Sequence, residues 1–135
     1  MARTLQARAN VACVTTRSAV PAIEGWFAED SDGAHLLGNK CTSCETYVFP
    51  PRAKYCPSPT CNSQEFDLVA LANTGTVWSY TDNQYHPPPP YIPTADPYEP
   101  FAVVAVALER EGMLVMGMAA DGIGIEDLKV GKHVK

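Results

Sequence analysis

Between Phe66 and Leu128 the chain carries one basic residue, Arg110, against nine acidic ones. A nucleic-acid surface needs clustered lysine and arginine to displace counterions from phosphates, so this scarcity argues against a nucleic-acid partner. Long apolar runs are also missing. No stretch approaches the roughly 18 residues of a membrane span, so no membrane partner is expected. The first twenty residues hold Arg3, Arg8 and Arg17 and no acid, which superficially suggests a transit peptide. They lack the apolar stretch of a secretory signal, so the expectation is a cytoplasmic protein with reduced thiols. There is no Ser/His/Asp set, paired-acid motif or glycine-rich phosphate loop. A free-standing enzyme is therefore the weakest reading, and no residue is assigned a catalytic role.

What is present begins with cysteine. Cys41-Thr-Ser-Cys44 and Cys56-Pro-Ser-Pro-Thr-Cys61 place four thiols within about twenty residues. Two intervening residues let a tight turn aim both sulfurs of the first pair at one ion. Pro57 and Pro59 stiffen the second turn, where the spacing is wider. The pattern reads as a structural zinc site of Cys41, Cys44, Cys56 and Cys61. Two disulfides or a rubredoxin-like iron site are the alternatives. Four thiolates would fill the coordination sphere and leave no open position for chemistry. Such a metal would instead stabilise a ribbon too small to fold on apolar burial alone. Cys13 lies far from the four and reads as a bystander.

The chain has 135 residues, enough for one ordinary domain or two very small ones. Residues 1–20 read as a flexible tail or linker remnant. Pro21 is a plausible first helical residue, and Ile23, Trp26 and Phe27 then fall on one helical face, despite Gly25. This predicts an N-terminal helical segment over 21–38, with Trp26 and Phe27 either packing on the chain's own core or anchoring a partner. A zinc ribbon over 39–64 follows. After it the pattern turns to strands: Phe66 to Leu71, Thr76 to Thr81, Phe101 to Leu108 and Met113 to Met118, with turns at Asn73–Gly75 and Glu109–Gly112. Gly122 to Leu128 reads as a connection with one helical turn. Val130 to Val134 opens a fifth strand that looks truncated. Five short strands fit a small, partly open OB-fold barrel over 65–135, so the fold class is mainly β.

Two features of this half point outward. Phe101-Ala-Val-Val-Ala-Val-Ala-Leu108 and Met113-Leu-Val-Met-Gly-Met118 are apolar on both faces, where a small antiparallel barrel should show water a polar one. The ribbon or helix of the same chain could cover the outer face, and so could a partner subunit, which is the favoured reading. Between Tyr85 and Pro100 lies a proline-rich loop. Its run Pro87–Pro90 forces polyproline II and cannot join a sheet. It reads either as a rigid connector or as a prearranged arm in which Tyr85, His86, Pro90 and Tyr91 line a partner's substrate pocket. Beside the prolines, His86 is more simply a local hydrogen-bonder than a catalyst. His35 and His133 have weaker claims.

Cys41-x-x-Cys44, Tyr47-Val-Phe-Pro-Pro-Arg52, Cys56-Pro57 and Thr74-Gly-Thr-Val-Trp-Ser-Tyr-Thr81 follow one another in an order that resembles the acyl-CoA-associated zinc-ribbon/OB-fold family. Pro100-Phe-Ala-Val-Val and Glu126-Asp-Leu-Lys-Val-Gly131 also look like its pattern. The likeness runs from about residue 21 to Lys135. Two positions depart from it: Cys61 is displaced from the usual Cys-Pro-x-Cys, and Glu45 stands where glycine is common. Trp78 to Tyr91 and Asp96 to Phe101 are similar to one subgroup, the partner domain of the actinobacterial steroid side-chain aldolase. There the domain is often the C-terminal part of a hydratase chain.

The resemblance implies a non-catalytic accessory subunit. Its partner would be a lipid-transfer-protein-like member of the thiolase superfamily, in a hetero-oligomer that carries out retro-aldol cleavage of a β-hydroxyacyl-CoA steroid side chain. A general acyl-CoA module for another thiolase-type enzyme is the alternative, and a nucleic-acid-binding ribbon/OB protein the less favoured one. CoA brings several phosphate charges. The basic residues that cluster to meet them are Lys40, Arg52 and Lys54, near the ribbon.

Overall fold

The computed structural model of the chain describes residues 23–93 and 95–135. The expected tail over 1–20, Pro21 and Cys13 lie outside the described residues. Among the described residues, eight strands form two antiparallel sheets. In the first, β1 (Phe27–Asp30) and β3 (Tyr47–Val48) pair with β2 (Gly33–Cys41), and β4 (Phe66–Ala70) pairs with β2 as well. The second sheet has the order β7–β6–β5–β8, where β5 is Gly75–Asn83, β6 Phe101–Leu108, β7 Leu114–Met118 and β8 His133–Val134.

Among the described residues, 23–38 hold no part of the helical segment expected over 21–38. From Ile23 the chain makes a turn closed by the Trp26 N–H on the Ile23 carbonyl, and then the hairpin β1–β2. Gly25 explains the difference. Its φ of +81° lies in the left-handed region, which ends any right-handed helix begun at Pro21. Asp30 to Gly33 then forms the hairpin turn, with Gly33 at φ +113°. The spacing of Ile23, Trp26 and Phe27 happens to match a helical face, but pairing with Leu36 and its neighbours fixes Phe27 as strand.

The strand expected at Phe66 to Leu71 exists, yet it does not pair within the barrel sheet. Phe66–Ala70 lies along Leu37–Cys41 of β2. So β2 is the shared spine: Cys41 at its C-terminal end reaches the cysteine cluster, and its N-terminal half forms the hairpin. The other strands fall close to expectation. β5 and β6 pair over their whole lengths, with a bulge at Trp78 between Val77 and Ser79. The turn at Glu109–Gly112 places Gly112 at φ +62°. The helical turn in the 122–128 connection is a short 3₁₀ turn at Ile125–Asp127, and the last strand pairs with Gly75 and Thr76 through His133 and Val134 alone. Gly75 is needed for close approach: a Cβ there would run into the Ala107 carbonyl of β6.

The buried core is small. Leu71 and Val77 are almost wholly enclosed, and Ala102, Ala105 and Leu108 are buried as well. Leu71 lies where the chain passes from one sheet to the other, and four consecutive backbone groups there are satisfied from both sides. The Ala70 carbonyl accepts from the Arg110 guanidinium. The Leu71 N–H donates to the Leu36 carbonyl at 2.8 Å. The Leu71 carbonyl accepts from His35 Nδ1 at 2.8 Å. The Ala72 N–H donates to the Glu111 carboxylate at 3.1 Å. The Glu111 side chain has no exposed surface, and Arg110 neutralises it at 2.8 Å.

His35 also reaches Asp30 across the hairpin, Nε2 to Oδ1 at 3.2 Å. The Leu71 carbonyl, then Asp30 and Asp32, raise the His35 pKa above its usual value. Both ring nitrogens can donate only when the ring is protonated, so the latch is tightest in the cationic form. A raised folded pKa means stability that is complete below the unfolded value of about 6.5 and lost as pH rises through the folded value. The melting temperature should therefore fall as pH is raised through and above neutrality. His35→Gln should remove that slope, and a wild-type profile that stays flat there would contradict the latch.

Candidate metal centre and the surfaces around it

The four cysteines are brought together by two turns and one strand end. Cys41 closes β2. The Glu45 N–H donates to the Cys41 carbonyl at 2.9 Å, which curls Thr42 and Ser43 into a knuckle. This turn needs a residue at φ +60°, and Glu45 occupies it. That is why glycine suits the position: any side chain there bears a left-handed penalty. Glu45 offsets part of it by accepting from Lys40 Nζ at 2.9 Å. The second turn is closed by the Cys61 N–H on the Ser58 carbonyl at 3.0 Å, and the Cys56 N–H on Ser63. The wide Cys56–Cys61 spacing is thus absorbed in one compact loop.

The sulfurs of Cys41, Cys44, Cys56 and Cys61 all lie within 4.8 Å of one another. Cys41 and Cys61 are separated by 3.8 Å and Cys44 and Cys56 by 3.4 Å. Four thiolates each about 2.3 Å from a tetrahedral zinc ion would stand about 3.8 Å apart, so the donor set lies close to the arrangement that ion needs. Electrostatics agree. The Thr46 hydroxyl and N–H bring the Cys44 thiol down to about 6. The Cys44 N–H lowers Cys41 too. At Cys56 the Ser58 N–H favours the thiolate, but burial and the other three sulfurs outweigh it and push the thiol up to about 12. At Cys61 the Ser63 N–H and Cys56 favour the thiolate, but burial, Cys44 and Cys41 outweigh them and raise the thiol. Four sulfurs this close cannot all ionise unless a cation compensates them. The zinc they fit would be structural, held by all four.

The remaining residues singled out by sequence fall in three places. Trp26 sits at the foot of β1, edge-on to Phe49 with ring centroids 5.4 Å apart, and the Arg52 guanidinium lies 5.3 Å above its ring. Phe27 is 43% exposed. Lys40 is held by Glu45, and Lys54 lies 5.9 Å over the exposed ring of Tyr55. The structure thus engages Lys40, Arg52 and Lys54 separately, with different neighbours.

The proline-rich loop is less extended than its composition suggests. The Tyr91 N–H turns back to the Pro88 carbonyl at 3.3 Å. His86 contacts Tyr91 and Tyr98 edge-on, and Tyr91 stacks on Phe101 at 5.8 Å. The Tyr98 hydroxyl donates to the Asn83 carbonyl at 2.6 Å. His86 and Tyr91 thus belong to an aromatic cluster that seats the arm on the start of β6. Tyr85 and Ile92 project from it, 85% and 83% exposed. Polyproline stiffness could not show this, because the contacts come from Tyr98 and Phe101, outside the run.

Sequence reading also missed an apolar cleft of about 510 Å³ between the β1–β2 hairpin and the second sheet. Trp26, Leu36 and Phe49 line one wall, and Val104, Val106 and Val115 the other. Only the apolar alternation of Ala34 and Leu36 hinted at it. On the second sheet Trp78 and Tyr80, which sequence reads first as barrel packing, are 60% and 38% exposed.

Comparison with known proteins places both halves. Residues 35–67 match the family described as ChsH2, rubredoxin-like zinc ribbon domain. Residues 68–135 match ChsH2, C-terminal OB-fold domain. The chain is 32% identical over 109 residues to the probable enoyl-CoA hydratase alpha subunit of Thermomonospora curvata, covering 81% of this chain and 30% of that protein. It is 35% identical over 54 residues to the benzoylsuccinyl-CoA thiolase subunit BbsA of Thauera aromatica, covering 40% of this chain and 35% of that protein. The chain thus spans about a third of the length of these relatives. Among solved structures it is similar to a chain of the Ltp2–ChsH2(DUF35) aldolase, with a TM-score of 0.57, 31% identity and 84% of each chain covered.

Purified from a reducing cytoplasm, the protein should contain close to one zinc per chain by elemental analysis. Cys41→Ser should abolish metal retention and the amide-exchange protection of β2 to β4 near the cluster, while β5 and β6 stay protected. Two disulfides with no metal would contradict the assignment.

Proposed function

This chain belongs to the ChsH2 family of zinc-ribbon and OB-fold domains, and on that premise we propose that it is a non-catalytic accessory subunit of a thiolase-superfamily acyl-CoA enzyme. The observation that carries the reading is the likeness to the Ltp2–ChsH2(DUF35) aldolase over most of both chains. The exposed Trp78, Leu114, Met116 and Met118 support it, since a soluble protein rarely leaves such residues together without a partner.

The finer reading is that the partner is a lipid-transfer-protein-like thiolase homologue and that the complex is a carbon–carbon lyase of steroid degradation. The reaction is retro-aldol cleavage of a β-hydroxyacyl-CoA. The bond between the α and β carbons breaks, the β-hydroxyl becomes the ketone of the shortened steroid, and the α carbon takes a proton to give propionyl-CoA. The partner supplies the groups that move these protons. The ribbon is a zinc-held scaffold. The arm brings Tyr85 and Ile92 towards the partner's acyl cleft, with His86, Tyr91 and Pro90 setting its shape. The CoA phosphates are met by Lys40, Arg52 and Lys54 near the ribbon or by the partner itself.

A second reading is that the chain serves another thiolase-type enzyme with a different acyl-CoA. The similarity to BbsA favours it, though over a shorter stretch. The relatives' greater length leaves room for a larger assembly in either case.

Coexpression with the lipid-transfer-protein-like thiolase homologue of the same host should yield a complex that cleaves a steroid β-hydroxyacyl-CoA, with neither chain active alone. Turnover by this chain by itself would refute the accessory role. Cleavage of only non-steroid acyl-CoA substrates would favour the second reading. Replacing Pro87–Pro90 by glycine and serine should leave zinc content intact and lower the activity of the complex more than the stability of the chain, because preorganisation is what is lost. An arm variant with parental turnover would reduce the loop to a connector.

A further inference from the structure

We infer that Asn83 and Tyr98 are positioning residues for the reaction of the complex: they form a latch that fixes where Tyr85 and Ile92, the two exposed tips of the proline-rich arm, stand against the partner's acyl cleft. The inference rests on the accessory-subunit reading and on the arm's place in it, and it adds two residues that lie outside the proline run.

Asn83 is the last residue of β5 and pairs with Phe101, the first of β6. The arm therefore leaves and re-enters the sheet at one rung of the ladder. Three hydrogen bonds meet over that rung. The Tyr98 hydroxyl donates to the Asn83 carbonyl at 2.6 Å. The Asn83 amide nitrogen, Nδ2, donates to that hydroxyl at 2.9 Å and to the Tyr85 carbonyl at 3.0 Å. Chemistry fixes the orientation of the amide: the Tyr85 carbonyl can only accept, so nitrogen rather than oxygen faces it. The Tyr98 hydroxyl has one proton, and giving it to the Asn83 carbonyl leaves its lone pairs for Asn83 Nδ2. Each group thus has one role, and the set closes on itself.

The second tip is held by packing. Tyr91, next to Ile92, stacks on Phe101 at 5.8 Å with 21° between the ring planes, and Tyr98 meets the same ring edge-on at 6.4 Å. His86 follows Tyr85 and lies edge-on to both Tyr91 and Tyr98, with centroids 5.7 and 5.3 Å away. Tyr98 therefore serves both halves, its hydroxyl the Tyr85 side and its ring the Ile92 side. The tips themselves stay bare, 85% and 83% exposed. A connector has no need of two bare apolar side chains on an ordered base. A probe that enters another protein's cleft does, because groups placed beforehand lose less freedom on docking, and a reacting geometry tolerates little misplacement. One aromatic and one branched aliphatic tip suit the apolar body of an acyl group rather than the phosphates of CoA.

The test compares kcat/KM of the coexpressed complex for a steroid β-hydroxyacyl-CoA, or for the non-steroid acyl-CoA if that is what it cleaves. Wild type, Tyr98→Phe and Asn83→Asp are measured first, then the same two changes on a Tyr85→Ala, Ile92→Ala background. Zinc content and thermal melts are the folding controls. Tyr98→Phe keeps the ring and its packing and loses the hydroxyl. Asn83→Asp keeps the shape and sets an acceptor against the Tyr85 carbonyl. Each should lower kcat/KM about three- to tenfold, the range of one or two lost hydrogen bonds, with zinc content unchanged. Both changes together should be little worse than either, since they break one network. On the background without tips neither should lower kcat/KM further, because a latch acts only through what it positions. A lower melting temperature with parental kcat/KM in the assembled complex would confine the pair to folding and overturn the inference, while the accessory role stands. An equal loss with and without the tips overturns it too, as does loss of zinc or of assembly in both variants. A wild-type complex that neither assembles nor turns over substrate overturns the accessory reading and this inference with it.

Discussion

The polar groups of Ala70, Leu71 and Ala72 are the constraint on which the rest of this chain depends. The segment leaves a sheet whose spine is β2 and enters another that begins at Gly75. At such a crossing the backbone can lose its partners, and a buried N–H or carbonyl left unpaired costs about 1–3 kcal/mol. Here each is met by a different element: β2 supplies the Leu36 carbonyl and the His35 ring, and the β6–β7 turn supplies Arg110 and Glu111. Two elements distant in sequence thus clamp one short segment between them. Leu71 fills the space beneath, close against Gly38, where a Cβ would meet its methyl groups at about 3 Å. The pairing of ribbon and barrel is therefore built from directional bonds as well as apolar area, which suits a chain with so small a core.

Local chemistry was legible in the sequence, and partnership across the chain was not. The cysteine pairs, the turn at Glu109–Gly112 and the strands around it depend on nearby residues, and reading them needed no knowledge of the fold. The ribbon and OB-fold identities followed from their order. The helical expectation over 21–38 failed because Gly25 and the Asp30–Gly33 turn outweigh a three-residue apolar spacing. Phe66–Ala70 was correctly read as strand but given the wrong neighbours. Its alternation says that it lies on a sheet, and only β2 says which one. Arg110 stood out as the lone base of its half, yet nothing in its surroundings marked it as a clamp on residues forty positions earlier. The arm was read as stiff from its prolines. Its seat, however, is made by Tyr98 and Phe101, which lie beyond the proline run.

The apolar residues of the second sheet divide into two populations that a pattern cannot separate. By register Val77, Val104, Val106 and Val115 share one face and Leu114, Met116 and Met118 the other, with Met116 also reaching the margin of the cleft. The chemistry differs accordingly. Branched valines line the cleft, where a fixed shape is wanted. Unbranched methionines occupy the exposed edge strand, where flexible side chains adjust their packing. Strands apolar on both faces thus carry one enclosed face and one exposed face.

The metal and the external face sit at opposite ends of the same chain of contacts. Cys41 terminates β2, and β2 carries His35, Leu36 and Gly38 to the Leu71 crossing. A zinc ion on the cluster therefore does more than close a knuckle. By fixing the end of the spine it holds the register in which His35 meets Leu71 and the hairpin meets the cleft. β5, β6 and β7 depend on that spine only through the crossing. They stay paired with one another even when the ribbon loosens, because their ladder bonds are among themselves. Loss of metal should thus loosen the hairpin wall of the cleft before it disturbs the methionine face.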